Sequence, residues 1–310
     1  MAIYHLHSGF VSRSTGRSAV QSAAYISGEK LYEDRREMTV NYHKKLNEVA
    51  LVKTLYPDNS KYRDISVWNT IENYEDKYAE EHFKTEKTQE DYKSSAQTAS
   101  TIVVALPNEL SIKTNEELLD KFINTRFTDR GLVTTYAIHQ KEGNLHAHIL
   151  ISRRAIGENG DFLPRKDREI CTKFSLCETR KLWAKLANEF LEREGVRERI
   201  TEKSFEDLGI NLEATKHRGW YAGHIGSDSR LAQENIEIAK RNEEKIISDP
   251  NIVLDYLNEK KAVFTQKDIL KFVSEKVMDD RKISMIFEKV LNEAKIIRFR
   301  KKYSDKLCEC

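Results

Sequence analysis

Three of the chain's nine histidines fall within ten positions, in the stretch HQKEGNLHAHILIS: His139, His146 and His148. In a strand, side chains alternate between faces, so His146 and His148 project from one face and Ala147, Ile149 and Ile151 from the other. Their Cα atoms then stand about 6.6 Å apart, and two imidazoles at that spacing can tilt inward to share one ion. His139 closes the preceding apolar run, and a turn through Gly143 folds that run back alongside, delivering a third imidazole. A lone His-x-His is more often a polar sheet face than a metal site. The third histidine at the hairpin partner turns the reading to metal. Three neutral nitrogens on a rigid sheet leave coordination positions open for a substrate oxygen.

A second candidate lies near the start, in SRSTGRSAVQSAAYISGEK. Tyr25 sits in a helical run of small residues, Ala19, Ser22, Ala23 and Ala24, which lets another surface approach closely. Arg13 and Arg17, with Ser12, Ser14 and Ser18 as hydroxyl donors, suit phosphate oxygens. A phenol is only about 0.1–1% ionised at neutral pH. As a nucleophile it needs a base, or a cation that also stabilises the charge developing at phosphorus. Lys30, Arg153 and Arg154 are further candidate DNA contacts, as are Arg218 and Trp220 of KHRGWYAGH, which offer a charge and a stacking surface for single-stranded DNA. His5 and His7 share one face of the first strand, and His7 reads as a surface or DNA-contacting residue. His217 and His224 read as loop residues.

The elements that must position these residues show in the apolar patterning. Strand-like runs occur at residues 3–7, 101–106, 132–139 and 145–152, with helix-like runs at 18–27, 69–94 and 115–128. The mix predicts an α/β (α+β) fold with a central antiparallel sheet of about five strands flanked by helices. From Cys171 the pattern turns helical, giving a mostly helical C-terminal extension. Asp249-Pro250 marks a break. The following helix, short strand-like AVF and second helix, capped by Thr265 with Asp268 three residues on, predict a small winged-helix module. The expected domains are 1–224, carrying both candidate sites, a helical linker over 225–248, and the small module over 249–310.

Composition sets few limits. The 310 residues allow two domains. The net charge of +2 neither demands nor excludes nucleic acid, since a local cluster suffices to hold phosphates. No apolar run of about 18 residues is present, and the first residues lack the layout of a secretory signal, so a cytoplasmic location is expected. Cys171, Cys177, Cys308 and Cys310 then read as reduced thiols.

Taken together, MAIYHL, SRSTGRSAVQSAAYISGE, WNTIE, VVALPNEL and IHQKEGNLHAHILIS resemble the MobA/MobL relaxases of plasmid mobilisation. These belong to the HUH endonucleases, named for a His-hydrophobic-His motif that is here His146-Ala147-His148. The similarity runs in order over residues 1–224, and later segments resemble TraA-type relaxase–helicases. The resemblance implies a relaxase fold that cuts one DNA strand at an origin of transfer, forms a 5′-phosphotyrosine bond and later rejoins the strand. It assigns Tyr25 as nucleophile and His139, His146 and His148 as metal ligands. Glu72 of WNTIE matches an acidic position that orients a histidine or takes the tyrosine proton. The family uses Mg²⁺ or Mn²⁺, whereas imidazoles alone favour Zn, Ni or Cu. Expected partners are origin single strands, relaxosome accessory proteins and a type IV secretion coupling protein, in a bacterial cytoplasm.

Three departures stand out. The charged stretch DKYAEEHFKTEKTQEDYKSSAQ occupies the place of a short spacer, and reads as a solvated helix or an added DNA or partner contact. RITEKS stands where a more basic, histidine-containing segment is common. No G-x-x-x-x-G-K-[ST] occurs, so if the chain derives from a relaxase–helicase the motor is missing, and no ATPase activity is expected. A rolling-circle replication initiator shares the metal motif, but its tyrosine follows the histidines, while Tyr25 precedes them by more than 100 residues. A catalytically idle DNA-binding remnant of a relaxase–helicase is the reading from a different class.

Overall fold

The computed structural model describes residues 4–141, 144–215, 230–261, 263–277 and 279–292. The chain divides into two compact units, Met1–Glu202 and Lys203–Cys310.

In the first unit the elements run β1 (Leu6–Ser12), α1 (Ala19–Ser27), β2 (Lys30–Glu33), β3 (Met38–Asn41), β4 (Val49–Leu55), α2 (Val67–His82), α3 (Glu86–Ser95) and β5 (Gln97–Ala105). They continue as α4 (Ile112–Arg126), β6 (Leu132–Lys141), β7 (Asn144–Ile156), β8 (Phe162–Lys166) and α5 (Lys173–Arg193). The main sheet has six strands in the order β1-β5-β7-β6-β4, with β8 pairing the far end of β7. Every pairing in it is antiparallel. The small β2–β3 ribbon stands apart from it.

The period-two pattern of the strands sorts the core into two layers. Ala147, Ile149 and Ile151 of β7 pack with α4 and α5 through Leu118, Phe122, Trp183 and Phe190. Leu150, Ala137 and Ala99 face the other way, onto α1 and α2 through Ala19, Ala23, Ile26, Trp68 and Ile71. Trp68 also donates its indole N–H to Thr135 Oγ1 at 2.9 Å, which satisfies a polar atom inside that layer. Serine and threonine begin the helices as their chemistry requires: Ser18 accepts from Gln21 N at α1, Ser111 from Thr114 N at α4 and Thr172 from Ser175 N at α5.

The structure differs from the sequence reading in several places. The first strand begins at Leu6, later than expected, and the long run 69–94 is two helices broken at Phe83–Thr85. The break follows from Thr85, which leaves the helical conformation to cap α3. The strands β2, β3, β4 and β8 were not expected.

The second unit contains α6 (Arg230–Ser248), α7 (Asn251–Lys260), α8 (Gln266–Lys276) and α9 (Asp280–Leu291). Here the division falls at 202/203 rather than at 224, because Ile210 and Leu212 already belong to the apolar cluster built by α6–α9. Within the expected helical linker over 225–248, α6 contributes Ile246, fully buried, to that cluster. Where a small winged-helix module is expected, α7 and α8 flank a single bridge residue, Lys261, and helices supply the described packing. Thr265 and Asp268 do make the reciprocal capping box. Arg218, Trp220, His217, His224, Gly143, Cys308 and Cys310 lie outside the described residues.

Candidate metal centre and its tyrosine

The β6–β7 register sets the three histidines in place. His139 lies directly opposite His146, and His148 opposite Ala137. Since β7 alternates, all three rings rise from the face that carries α1. Their ring centroids are 5.5 Å (139–146), 4.7 Å (139–148) and 5.0 Å (146–148) apart. One nitrogen from each lies within 4.8 Å of the others, near the separation that bonds of about 2.1 Å to a shared ion allow.

Two outward hydrogen bonds decide which nitrogens are left. His139 Nε2 lies 2.7 Å from the Ile26 carbonyl, and His146 Nδ1 lies 3.1 Å from that of Asn144. A carbonyl only accepts, so each of these nitrogens carries the proton and donates. The free lone pairs are therefore Nδ1 of His139 and Nε2 of His146. This tautomer follows from the hydrogen bonds, and it is the arrangement in which metal-binding histidines are commonly held. Burial, and after it the charges of His139, His146 and Lys45, push His148 down to about 3, so its ring is neutral. His139 is lowered too, by burial first, with the Ile26 carbonyl opposing. The donor set fits a borderline divalent ion.

Tyr25 sits on α1 above this cluster, its ring edge-on to His148 at 5.9 Å between centroids. Tyr42 meets it from another side at 5.3 Å, also edge-on. Lys45, in the 3-10 turn His43–Glu48, holds its ammonium 3.6 Å over the centroid of the Tyr25 ring. That turn approaches so closely because α1 ends at Gly28, with φ of 69°. A β-carbon there would come within 3.0 Å of the Leu46 backbone. Lys45 and Tyr42 escaped the sequence reading. NYHKKLNEV carries no motif, and its proximity to Tyr25 arises only when α1 is capped and β3 returns.

Tyr25, His139, His146 and His148 are thus brought together, while Glu72 is not among them. Glu72 is fully buried: Oε1 accepts from Ala19 N at 2.6 Å and Oε2 from Arg13 Nε at 2.9 Å. It therefore anchors the first turn of the tyrosine helix instead of touching an imidazole. Arg13, expected on phosphate, is only 7% exposed and is held by Glu72, Asp76 and the Lys93 carbonyl. Ser18 is turned inward as well, donating to Glu33 at 2.8 Å. Arg154 is likewise inward, bonded to both oxygens of Glu75 at 2.9 and 2.8 Å. Both arginines are held in internal ion pairs, and a charge in a sequence does not reveal that a carboxylate 59 to 79 residues away will meet it. Arg17 and Lys30 are exposed. Arg153 is 6% exposed, with one nitrogen donating to Gln97. His5 and His7 are exposed and outside the histidine cluster.

Fold and site define a class: an antiparallel sheet presenting three convergent imidazoles, covered by a helix whose tyrosine reaches them. The model of the MobA/MobL family matches residues 17–227, and the chain belongs to this family. It is similar to the conjugal transfer protein TraA of Rhizobium radiobacter, 28% identical over 98% of this chain and 30% of that protein. It is also similar to the probable mobilization protein MobA of Bifidobacterium longum (strain NCC 2705), 30% identical over 78% of this chain and 48% of that protein. The chain thus spans under a third of the length of the TraA relative. Among solved structures, one described as "Molecular Basis of Vancomycin Resistance Transfer in Staphylococcus aureus" matches with a TM-score of 0.57 and 27% identity. The match covers 66% of this chain and all of that one. No described helix is long and apolar enough to cross a membrane.

Proposed function

We propose that the chain is a DNA relaxase that nicks and rejoins one strand at an origin of transfer during conjugation. The observation that carries this reading is the edge-on approach of Tyr25 to His148 within a convergent three-histidine cluster. The Tyr25 hydroxyl oxygen attacks the scissile phosphorus and forms a P–O bond. The bond from phosphorus to the 3′ oxygen breaks, and that oxygen leaves with the proton the phenol gives up. The product is a 5′-phosphotyrosine and a free 3′ hydroxyl. Attack by a 3′ hydroxyl reverses the exchange, so no ATP is needed.

A divalent ion held by His139 Nδ1, His146 Nε2 and His148, with Mg²⁺ or Mn²⁺ the working ions, would polarise the phosphate oxygens. Lys45 places a second positive charge beside the phenol, where it would favour the approach of an anionic phosphate. Arg17 and Lys30, exposed at either end of α1, are the cations free to meet the backbone of the strand. The reading includes relaxosome accessory proteins and a type IV secretion coupling protein as partners, in the bacterial cytoplasm.

The test is a covalent adduct. Incubated with single-stranded origin DNA and Mn²⁺, the chain should form a product that survives denaturation, and Tyr25→Phe should abolish it while strand binding stays near wild type. An adduct persisting in the phenylalanine variant moves the chemistry to another tyrosine, and one persisting in chelator removes the metal from the reaction.

A further inference from the structure

The charged stretch that departs from the family pattern builds something of its own. Tyr78 and Phe83 from the end of α2, and Tyr92, Ser95 and Gln97 from α3 and the start of β5, form one side of an open cleft of about 750 Å³. Strands β7 and β8 and the residues after them supply the other side. Five cations line it: Arg153, Arg154, Arg165, Lys166 and Arg168. No carboxylate lines it. Glu75 lies beneath and serves Arg154 at 2.8 Å and Lys166 at 3.0 Å. The remaining three have no acidic partner among the described residues.

Arg153 decides what the cleft is for. It is 94% buried by its 6% exposure, its Nε has no partner, and its one side-chain hydrogen bond goes to the neutral Gln97. A buried guanidinium without a counter-charge is costly, and an anion entering the cleft would remove that cost. Arg165 and Arg168, exposed on the rim, add charge with no internal use. The opposite wall is aromatic, with Tyr92 5.6 Å from Tyr78 and 5.1 Å from Phe83 between ring centroids. Arg154 stands 4.3 Å over the Tyr78 ring and Lys166 5.4 Å over that of Tyr92, so the rings seat these cations. An open groove with unpaired arginines suits a polymer of phosphates better than an enclosed small molecule.

We propose that this cleft holds phosphodiester groups of single-stranded DNA, as a second anchor for the strand remote from the nick. The inference rests on the relaxase reading. Arg154 lies six residues along β7 from His148, about 20 Å at roughly 3.3 Å per residue, so the two sites engage separate nucleotides of one strand. The insertion thereby acts as an added DNA contact, and the buried pair of Glu75 with Arg154 is its foundation.

The experiment measures the affinity of the full chain for a thymidine homopolymer single strand across a salt series. Arg165→Gln combined with Arg168→Gln alters only exposed residues without internal partners, and Arg153→Gln probes the floor. The double variant should bind about tenfold more weakly, with the slope of log affinity against log salt reduced by roughly 1.4, about 0.7 per lost contact. Metal uptake by the histidines should match wild type, which shows that the sheet is intact. Unchanged affinity and slope in the double variant would overturn the second anchor while leaving the nick untouched. Thymidine monophosphate bound through Arg153, with strand binding unaltered in the double variant, would overturn the strand in favour of a free nucleotide. If wild type binds strand yet makes no Tyr25 adduct, the relaxase reading falls and the cleft is judged on the salt slope alone.

Discussion

At the scale of single residues, the site works by keeping the imidazoles of His139 and His148 neutral while an ammonium lies over the ring of the phenol. His148 is held down to about 3 by burial and by its charged neighbours, so no proton competes for its lone pair near neutrality. The ammonium of Lys45 contributes to that depression and also lies over the Tyr25 ring. A cation in that position steadies the ring by about 0.5–1 kcal/mol and attracts the phosphate to be attacked. Lys45→Gln should therefore slow adduct formation about tenfold, equivalent to about 1.4 kcal/mol in the barrier, with metal uptake intact. Lys45→Arg should restore most of the rate. Equal rates in wild type and Lys45→Gln, measured in single turnover, would reduce the contact to packing.

At the scale of elements, buried ion pairs fix the orientation of the tyrosine helix and of the sheet end. Glu72 joins α2 to the first turn of α1 and to Arg13, all in the interior. Removing one charge from such a pair costs about 3–5 kcal/mol. Glu72→Gln should lower the melting temperature yet still form the adduct well below that temperature. Loss of the adduct at an unchanged melting temperature would instead make Glu72 the base.

Glu75 carries a pH dependence whose sign is fixed by its neighbours. Burial would raise its carboxyl, but the Arg154 hydrogen bonds, Lys166 and Tyr92 outweigh it and hold the group below the usual carboxylate range. A depressed carboxyl contributes stability that is complete above its unfolded value, near 4.3, and is lost as pH falls through the folded value. Glu75→Gln should then be less stable than wild type at neutral pH, with the difference shrinking on acidification below about pH 4. Parallel melting curves of the two proteins from neutral to acid pH would contradict this.

These elements also show what could be read in advance. The histidines were legible because alternation in a strand is strict, and His139 because a short turn forces its strand alongside. Tyr25 was legible through the resemblance, not through its own setting. The ion pairs of Arg13 and Arg154 do not show in the sequence, because the partners that bury them lie on α2, far along the chain. Strands β2 and β3, of four residues each, are too short for alternation to register, and β4 is recognised only by its pairing with β6.

At the scale of the whole molecule, every described candidate for the chemistry lies in the first unit, and its cores close before the division. Ile200 is buried in the layer of α4 and α5, and Asn188 ties it down by accepting from Ile200 N and donating to Ile200 O, both at 2.8 Å. Beyond the division, Ile210 and Leu212 belong to a separate cluster with Ile252, Val253 and Phe272. Sequence could not place this boundary, because the charged run around it carries no break as strong as Asp249-Pro250. A unit with its own two-layer core, of about 200 residues, is large enough to fold alone. The chain ended after Glu202 should therefore melt cooperatively, take up Mn²⁺ in titration calorimetry and form the Tyr25 adduct. Its affinity for long single strands should keep the contribution of the Arg153 cleft, which lies wholly within it. A fragment that melts without a cooperative transition, or that folds but takes up no metal, would show that residues after 202 complete the first unit.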